Sequence, residues 1–415
     1  MKRKDFNQLK SDLFINKALI IPSNIFIIIN KYSDRELQQI TGLSLKPELI
    51  REYCFLIISN FNTQIINYIQ DEEIIDIQIY NNNEFKETKI NGKRVRVKQV
   101  IIKFLQRIGL IIRTTNYSTG SNKSSEIQYI AHARYFILNT EYINGGVVKV
   151  VLKEKKTREI NNKLINDRLE LCFNNIIAEN QLKMILKFEE LDTEEIYTKG
   201  LNLIGTKYKG NDFYEFNDEK KRKSDKTLEN HMKLYEYIME NGLLIPKVKE
   251  ESGRVFTSFN AVPSWIRKEF KINSKNTVGV DVSKSVPSII NMMFGGKEIN
   301  YNKFNKYDII KFLFSDNYKS ENFYKEIYND FKLNNNELLK TITALKNSIG
   351  NSGFAKMIYK IESEVMEKSI IKLNKKHIEV YYIFDELICA TDKSEIVKEI
   401  MNETLKEFKI NTFVK

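Results

Sequence analysis

The chain has 415 residues, 42% of them apolar, 11% aromatic and 29% charged, which excludes a disordered or fibrous protein and leaves room for two or three globular domains. Lys and Arg total 66 against 54 Asp and Glu, a net charge of +12; nucleic acid is the expected partner class, because basic side chains neutralise phosphates and release their counterions. Cys54, Cys172 and Cys389 stand far apart without a Cys-x-x-Cys spacing, which argues against a disulfide framework or structural zinc and for a reducing, cytoplasmic setting.

At the N-terminal end, the apolar stretch from Ala18 to Ile29 is broken by Pro22, Ser23 and Asn24 and falls short of the ~20 residues of a membrane span. The basic Met1-Lys-Arg-Lys4 is followed by Asp5, Asn7, Gln8 and Asp12, where a signal peptide is apolar. Neither export nor a membrane anchor is expected. Short amphipathic helical patterns occupy 34–40 and 48–58.

From Val97 to Leu110, the residues Val97, Val100, Ile101, Phe104, Leu105 and Ile108 recur at helical spacing, with Arg94, Arg96, Lys98, Lys103 and Arg107 supplying charge. This predicts a helix with a basic outer face, ended by Gly109. A strand-like run Leu110–Thr115, a polar tip Asn116–Ser125 and a second strand-like run Ile127–Leu138 follow. Helix, strand, tip and strand resemble a winged helix, with Lys98 on the helix and Lys123 in the wing as candidate phosphate contacts; the same layout also serves as a structural subdomain or a protein-contact surface. Residues 150–240 are helical in pattern and rich in lysine, with clusters at 153–158 and 220–223 that suit solvated faces. An Asp-x-Glu string of the proofreading kind, Asp192-Thr-Glu194, lies in this polar stretch rather than on an apolar strand, so proofreading is not expected. The Asn-Gly signal within Glu240–Pro246 marks the entry to the last domain.

Two acidic positions then stand out. The run Thr277-Val-Gly-Val-Asp281 places a carboxylate at the end of an apolar strand, where it is held still enough to ligate a divalent cation, although a lone Asp after a strand is more often a cap or turn residue. The run Glu379-Val-Tyr-Tyr-Ile-Phe-Asp-Glu-Leu-Ile-Cys-Ala-Thr391 predicts a β-hairpin with Asp385 and Glu386 at its turn. Acids within an apolar hairpin cost desolvation energy unless a cation or hydrogen bonds compensate, or the turn faces water. Between them, 336–353 predicts a helix with Leu338, Ile342 and Leu345 on one face and Lys340 on another. Phe354 to Lys376 predicts a long amphipathic helix with Ile358, Ile361, Val365 and Leu373 packed inward and Glu362 and Glu364 among its polar members.

In this order the strings resemble the palm of the family A DNA polymerases and the related single-subunit, phage-type RNA polymerases, over residues 252–415. Ser252-Gly-Arg-Val-Phe-Thr257 is similar to the family's Thr-Gly-Arg-Leu-Ser-Ser, and Ile266-Arg-Lys-Glu-Phe270 to its Ile-Arg-Arg-Ala-Phe. Asp281-Val-Ser-Lys-Ser-Val286 is similar to motif A (Asp-Tyr-Ser-Gln-Ile-Glu), Leu339 to Gly350 to the motif B helix, and Phe384-Asp-Glu386 to the His-Asp-Glu of motif C. Three departures stand out: Val286 replaces a glutamate that helps exclude the ribose 2′-OH, Phe384 replaces the motif C histidine, and Ile349 precedes Gly350 where an aromatic residue is usual.

The resemblance implies an α+β fold: a right-hand polymerase with an antiparallel palm sheet and helical fingers and thumb, preceded by a winged-helix-like N-terminal domain. The expected division is 1–145, a thumb-like 146–245, and a palm 246–415 with short fingers inserted at about 295–360. It implies two Mg²⁺ ions, with Mn²⁺ as a substitute, held by Asp281, Asp385 and the Val282 carbonyl and supported by Glu386. Lys340 and Arg254 would meet the incoming nucleotide or primer-template, and Arg267 and Lys346 the nucleic acid. The expected partners are nucleoside triphosphates and a DNA template with a DNA or RNA primer, and the expected activity is that of a DNA polymerase of a phage, plasmid or other mobile element. A DNA-directed RNA polymerase or primase is the alternative. A non-catalytic DNA-binding replication protein is the reading of another class.

Overall fold

A computed structural model describes residues 18–61, 65, 77–78, 87–90, 93–113, 135–143, 147–186, 191–203, 228–229, 231–239, 245–297, 303–304 and 306–415. The chain is a mixture of helices and small antiparallel sheets, an α+β protein, and divides into two compact units: 1–167 with 192–244, and 168–191 with 245–415. Among the described residues no helix is long and apolar enough to cross a membrane.

Unit 1 opens with β1 (Ala18–Pro22), α1 (Ser23–Lys31), α2 (Asp34–Thr41) and α3 (Pro47–Ile58). Ser33 and Glu36 start α2 as a capping box, each side chain accepting from the other's backbone N–H, and Pro47 suits the first turn of α3. Strand β2 (Ile77–Gln78) and the hairpin β3 (Glu87–Ile90) and β4 (Lys93–Arg96) precede α4 (Val97–Arg107), β5 (Ile111–Arg113) and β6 (Tyr135–Leu138). Strands β2, β6 and β5 form one antiparallel sheet, and β7 (Val147–Val151) pairs with β1. The helix expected over 97–110 is present, and the two expected strands are represented by Ile111–Arg113 and Tyr135–Leu138; the rest of both runs and the tip with Lys123 lie outside the described residues, as does the cluster 220–223.

Ile25, Ile50, Tyr53, Ile101 and Leu105 are fully buried in the unit 1 core. Lys98 departs from expectation: it is 6% exposed, because it lies three residues before Ile101 and seven before Leu105 and so shares their helix face. Burial pushes its ammonium down to about 8. The basic outer face is made instead by Arg94, Arg96, Lys103 and Arg107, all exposed.

Helix α5 (Lys155–Phe173) begins over the buried carboxylate of Glu52, which accepts from the amides of Lys153 (2.6 Å) and Glu154 (3.2 Å) and from the Thr157 hydroxyl. A carboxylate among these N-terminal donors needs no other counter-charge. Helix α6 (Ile176–Leu186) falls in unit 2 and α7 (Thr193–Leu203) in unit 1. Residues 146–245, expected as one thumb-like region, are therefore shared between the units. Asp192 caps α7, accepting from the amides of Glu194 (2.8 Å) and Glu195 (3.1 Å), a structural role for the Asp-x-Glu string.

Unit 2 continues with β8 (Lys247–Val248), β9 (Val255–Phe256), α8 (Ser258–Ala261), α9 (Ser264–Arg267), β10 (Lys271–Ile272) and β11 (Lys275–Asp281). Helices α10 (Ser285–Phe294), α11 (Lys306–Phe314), α12 (Asn317–Phe323), α13 (Lys325–Asn334) and α14 (Asn336–Lys375) come next, then β12 (Val380–Ile383), β13 (Glu386–Ala390) and α15 (Ser394–Glu407). The central sheet runs β10-β11-β13-β12, antiparallel throughout. Val280, Leu387 and Tyr382, across from one another on one face, are fully buried. At the outer edge, Asn180 and Gln181 of α6 donate to the carbonyls of Val380 (2.8 Å) and Tyr382 (2.6 Å), so a helix blocks the edge of β12 from further pairing. Helix α14 is broken at one residue, Gly350 (φ 73°, ψ 164°), which separates the two helices expected from the sequence.

Lys346, expected to meet nucleic acid, is 7% exposed and donates to the carbonyls of Ser315 (2.8 Å) and Phe312 (3.4 Å) at the C-terminal end of α11, where a cation complements the helix dipole. Burial pushes it down to about 8, against an ordinary 10.5. In that window the unfolded chain binds a proton at Lys346 that the folded chain does not, so the contribution of this group to stability rises with pH. The difference in urea stability between the native protein and Lys346→Met, which removes the ionising group and keeps the stem, is therefore expected to shift in favour of the native protein by on the order of 1–3 kcal/mol across about pH 8 to 10.5.

Candidate active site

The two acidic strings meet at the end of the central sheet. Strand β11 owes its form to the alternating run Thr277–Asp281, and its register with β13 places Asp281 directly across from Glu386. Opposite residues of an antiparallel pair point to the same face, so these carboxylates share one. The β12–β13 hairpin expected from the sequence is present, but its two-residue turn is Phe384-Asp385, between paired Ile383 and Glu386, so Glu386, expected at the turn, instead opens β13. Across this junction the Val282 amide donates to the Asp385 carbonyl at 3.0 Å. Positions 281 and 385 are thereby joined at the backbone level.

The other side of Asp281 is equally tied. Its N–H donates to the Lys415 carbonyl (3.1 Å), its C=O accepts from the Lys415 N–H (3.0 Å), and the Ser283 N–H donates to the Phe413 carbonyl (2.9 Å). The Val414 amide in turn donates to Asn402 of α15 at 3.0 Å. Asp281 therefore sits on a backbone fixed from both sides, with its side chain half-buried.

The turn carrying Asp385 is strained and buttressed. Phe384 has φ 54°, a region disfavoured for a bulky residue and held only where the surroundings impose it. Its ring packs edge-on against Phe256 (centroids 5.3 Å apart), and the Arg254 guanidinium lies 4.7 Å from it and 3.4 Å from the Tyr359 ring. Arg254 Nη2 and Nε both donate to one oxygen of Glu362, at 2.6 and 3.0 Å, and the Ser285 hydroxyl donates to the other at 3.3 Å. Glu362 is 3% exposed. Burial and the neighbouring Asp385 charge push its carboxyl up, and Arg254 pulls it down. A small cavity of about 10 Å³ lies between Glu362, Asp385, Val282 and Ser285, enough for about one water.

The structure thus gathers Asp281, Val282, Asp385, Glu386 and Arg254. Lys340 is exposed on the first half of α14 and pairs with Glu337 at 2.8 Å. Arg267, expected to meet nucleic acid, is 9% exposed, and its Nη1 donates to the carbonyls of Asn260 (2.9 Å) and Val262 (3.0 Å), so it holds together the segment entering the sheet. Glu362 was expected among the polar members of its helix. Its spacing reveals its place: four residues after Ile358 and before Met366, it lies on the buried stripe of α14.

Among the described residues no three or more His, Cys, Asp or Glu side chains form a group able to hold a metal ion. The donor chemistry at 281, 385 and 386 is all carboxylate and carbonyl oxygen, which suits Mg²⁺, a cation that takes one or two carboxylates and completes its shell with water and substrate phosphates. No family model and no curated protein matches the chain.

Gly279, two residues before Asp281 on the same face, lies beneath the Glu386 carboxylate, and a Cβ built there would overlap it. Because the obstacle is the far end of a flexible side chain, Gly279→Ala is expected to cost no more than about 1 kcal/mol in thermal unfolding while displacing Glu386. Its activity profile should match that of Glu386→Gln, which a comparison of melting curves with activity checks directly.

Proposed function

We propose that the chain is a template-directed nucleotidyltransferase that extends a nucleic-acid strand from nucleoside triphosphates. The observation that carries the reading is the convergence of two carboxylate strings, far apart in sequence, on neighbouring backbone positions at the end of one antiparallel sheet: Asp281 across from Glu386, and Val282 bonded to Asp385. The net charge of +12 supports a polyanionic substrate.

In this reading Asp281, Asp385 and the Val282 carbonyl hold two Mg²⁺ ions, whose chemistry is to acidify the primer 3′-OH and to neutralise the triphosphate. Glu386 adds a second carboxylate to the face of Asp281 and fixes how that face is solvated. Lys340 is available for a triphosphate, because its present exposed pair with Glu337 is of the kind worth no more than about 1 kcal/mol and is readily exchanged. No protein nucleophile is required, since the attacking oxygen belongs to the growing strand. Lys346 and Arg267 contribute by holding the fold together.

A second reading, a DNA-directed RNA polymerase or primase, is favoured by Val286. This residue is apolar and 9% exposed in the first turn of α10, so it presents no carboxylate to oppose a ribose 2′-OH. Extension of a labelled primer on a DNA template with Mg²⁺, supplied with dNTPs or NTPs, distinguishes the two. Asp281→Ala and Asp385→Ala are each expected to lose at least about a hundredfold in rate. Absence of products with either nucleotide set, on primed and unprimed templates, would overturn the enzymatic reading and favour a non-catalytic DNA-binding replication protein.

A further inference from the structure

We propose that Glu362 is a positioning residue which, acting through Arg254, holds the Phe384-Asp385 turn in its strained form and so presents Asp385 to the metal; the proposal rests on the metal-dependent reading above. The resemblance casts Arg254 as a contact to primer-template or nucleotide, yet its guanidinium is already engaged on three sides. Glu362 accepts from its Nε and Nη2, Tyr359 lies 3.4 Å from it and Phe384 4.7 Å, and its side chain is 17% exposed. A planar cation stacked on aromatic faces and bonded to a buried carboxylate is fixed in orientation as well as in place.

The ring on which Arg254 rests belongs to the residue with φ 54°. A two-residue hairpin turn requires a positive φ at its first residue, which a phenylalanine adopts only at a steric cost; packing of its ring offsets that cost, and a change of the turn re-aims the next residue, Asp385. Glu362 also accepts from Ser285, at the start of the helix that follows Asp281. One buried carboxylate therefore links the segments that carry both acids; groups that hold metal ligands in place in this way cost about 10–100-fold in affinity or activity when lost.

The test measures Mn²⁺ binding by electron paramagnetic resonance, and primer extension alongside it, for the native protein, Glu362→Gln, Glu362→Ala, Arg254→Lys and Asp385→Ala. Glu362→Gln keeps an acceptor for Arg254 and Arg254→Lys keeps the charge without the planar fork, so both serve if Glu362→Ala does not fold. The expected result is a loss of about 10–100-fold in Mn²⁺ affinity for Glu362→Ala and Arg254→Lys, smaller for Glu362→Gln, with turnover falling and KM for nucleotide unchanged. Native Mn²⁺ affinity in folded Glu362 and Arg254 variants, with only primer-template affinity reduced, would overturn the proposal and return Arg254 to direct nucleic-acid contact. A native protein that binds Mn²⁺ no better than Asp385→Ala would overturn it too. Binding of Mn²⁺ that depends on Glu362 in a protein that extends no primer would sink the polymerase reading and leave the positioning role standing.

Discussion

Strands Lys275–Asp281 and Glu386–Ala390 pair in a register that sets one carboxylate across from another, and the arrangement of unit 2 follows from that pairing. Like charges directly opposite on a sheet repel, so a fold that keeps them must secure the pairing by other means. Here the means are apolar and backbone. Val280 and Leu387, one step inward, are fully buried across from each other, the segment Phe413–Lys415 bonds to the far side of Asp281, and Gly279 leaves room for the Glu386 carboxylate. A one-residue slip would bury the acids and expose Val280 and Leu387, so the hydrophobic pattern that fixes the register also fixes which acids meet.

The basic residues sort by a related rule. A lysine or arginine near a helix end or a kinked entry segment can satisfy backbone carbonyls that would otherwise be left without donors. Lys346 does so for Phe312 and Ser315, and Arg267 for Asn260 and Val262. Each is a long apolar stem with a polar tip, so burial of the stem is favourable once the tip is bonded. The overall excess of positive charge therefore resides in other residues, among them the exposed Arg94, Arg96, Lys103, Arg107 and Lys340.

Much of the site's frame was legible because it is written in strong local signals. The alternation through Thr277–Asp281, the apolar runs flanking Asp385-Glu386 and the helical period of Val97–Ile108 each define an element whose existence tertiary context does not reverse. Side-chain direction was less legible. Lys98 and Lys346 were expected against nucleic acid and Glu362 among the polar members of its helix, whereas their spacing from Ile101, Ile342 and Ile358 puts them on buried stripes. What no local signal carries is long-range partnership. That α6 seals the edge of β12 through Asn180 and Gln181, about two hundred residues earlier in the chain, rests on a contact between two segments that each look ordinary alone.

The break in α14 gives the two halves of that helix separate tasks. Before Gly350 the helix carries exposed Lys340 and the clip made by Lys346 to α11; after it the helix carries Glu362 and the stripe from Ile358 to Leu373 that packs in the core. Glycine takes a φ of 73° without the steric cost another residue would meet, so the chain leaves the helical path at that one residue and resumes it at the next. The first half is anchored by Lys346 and by buried Leu338 and Ile342, the second by the Glu362–Arg254 pair. Exposed Lys340 and the buried Glu362–Arg254 pair are thus carried on one continuous segment, on opposite sides of the break, so the helix can follow two separate packing environments.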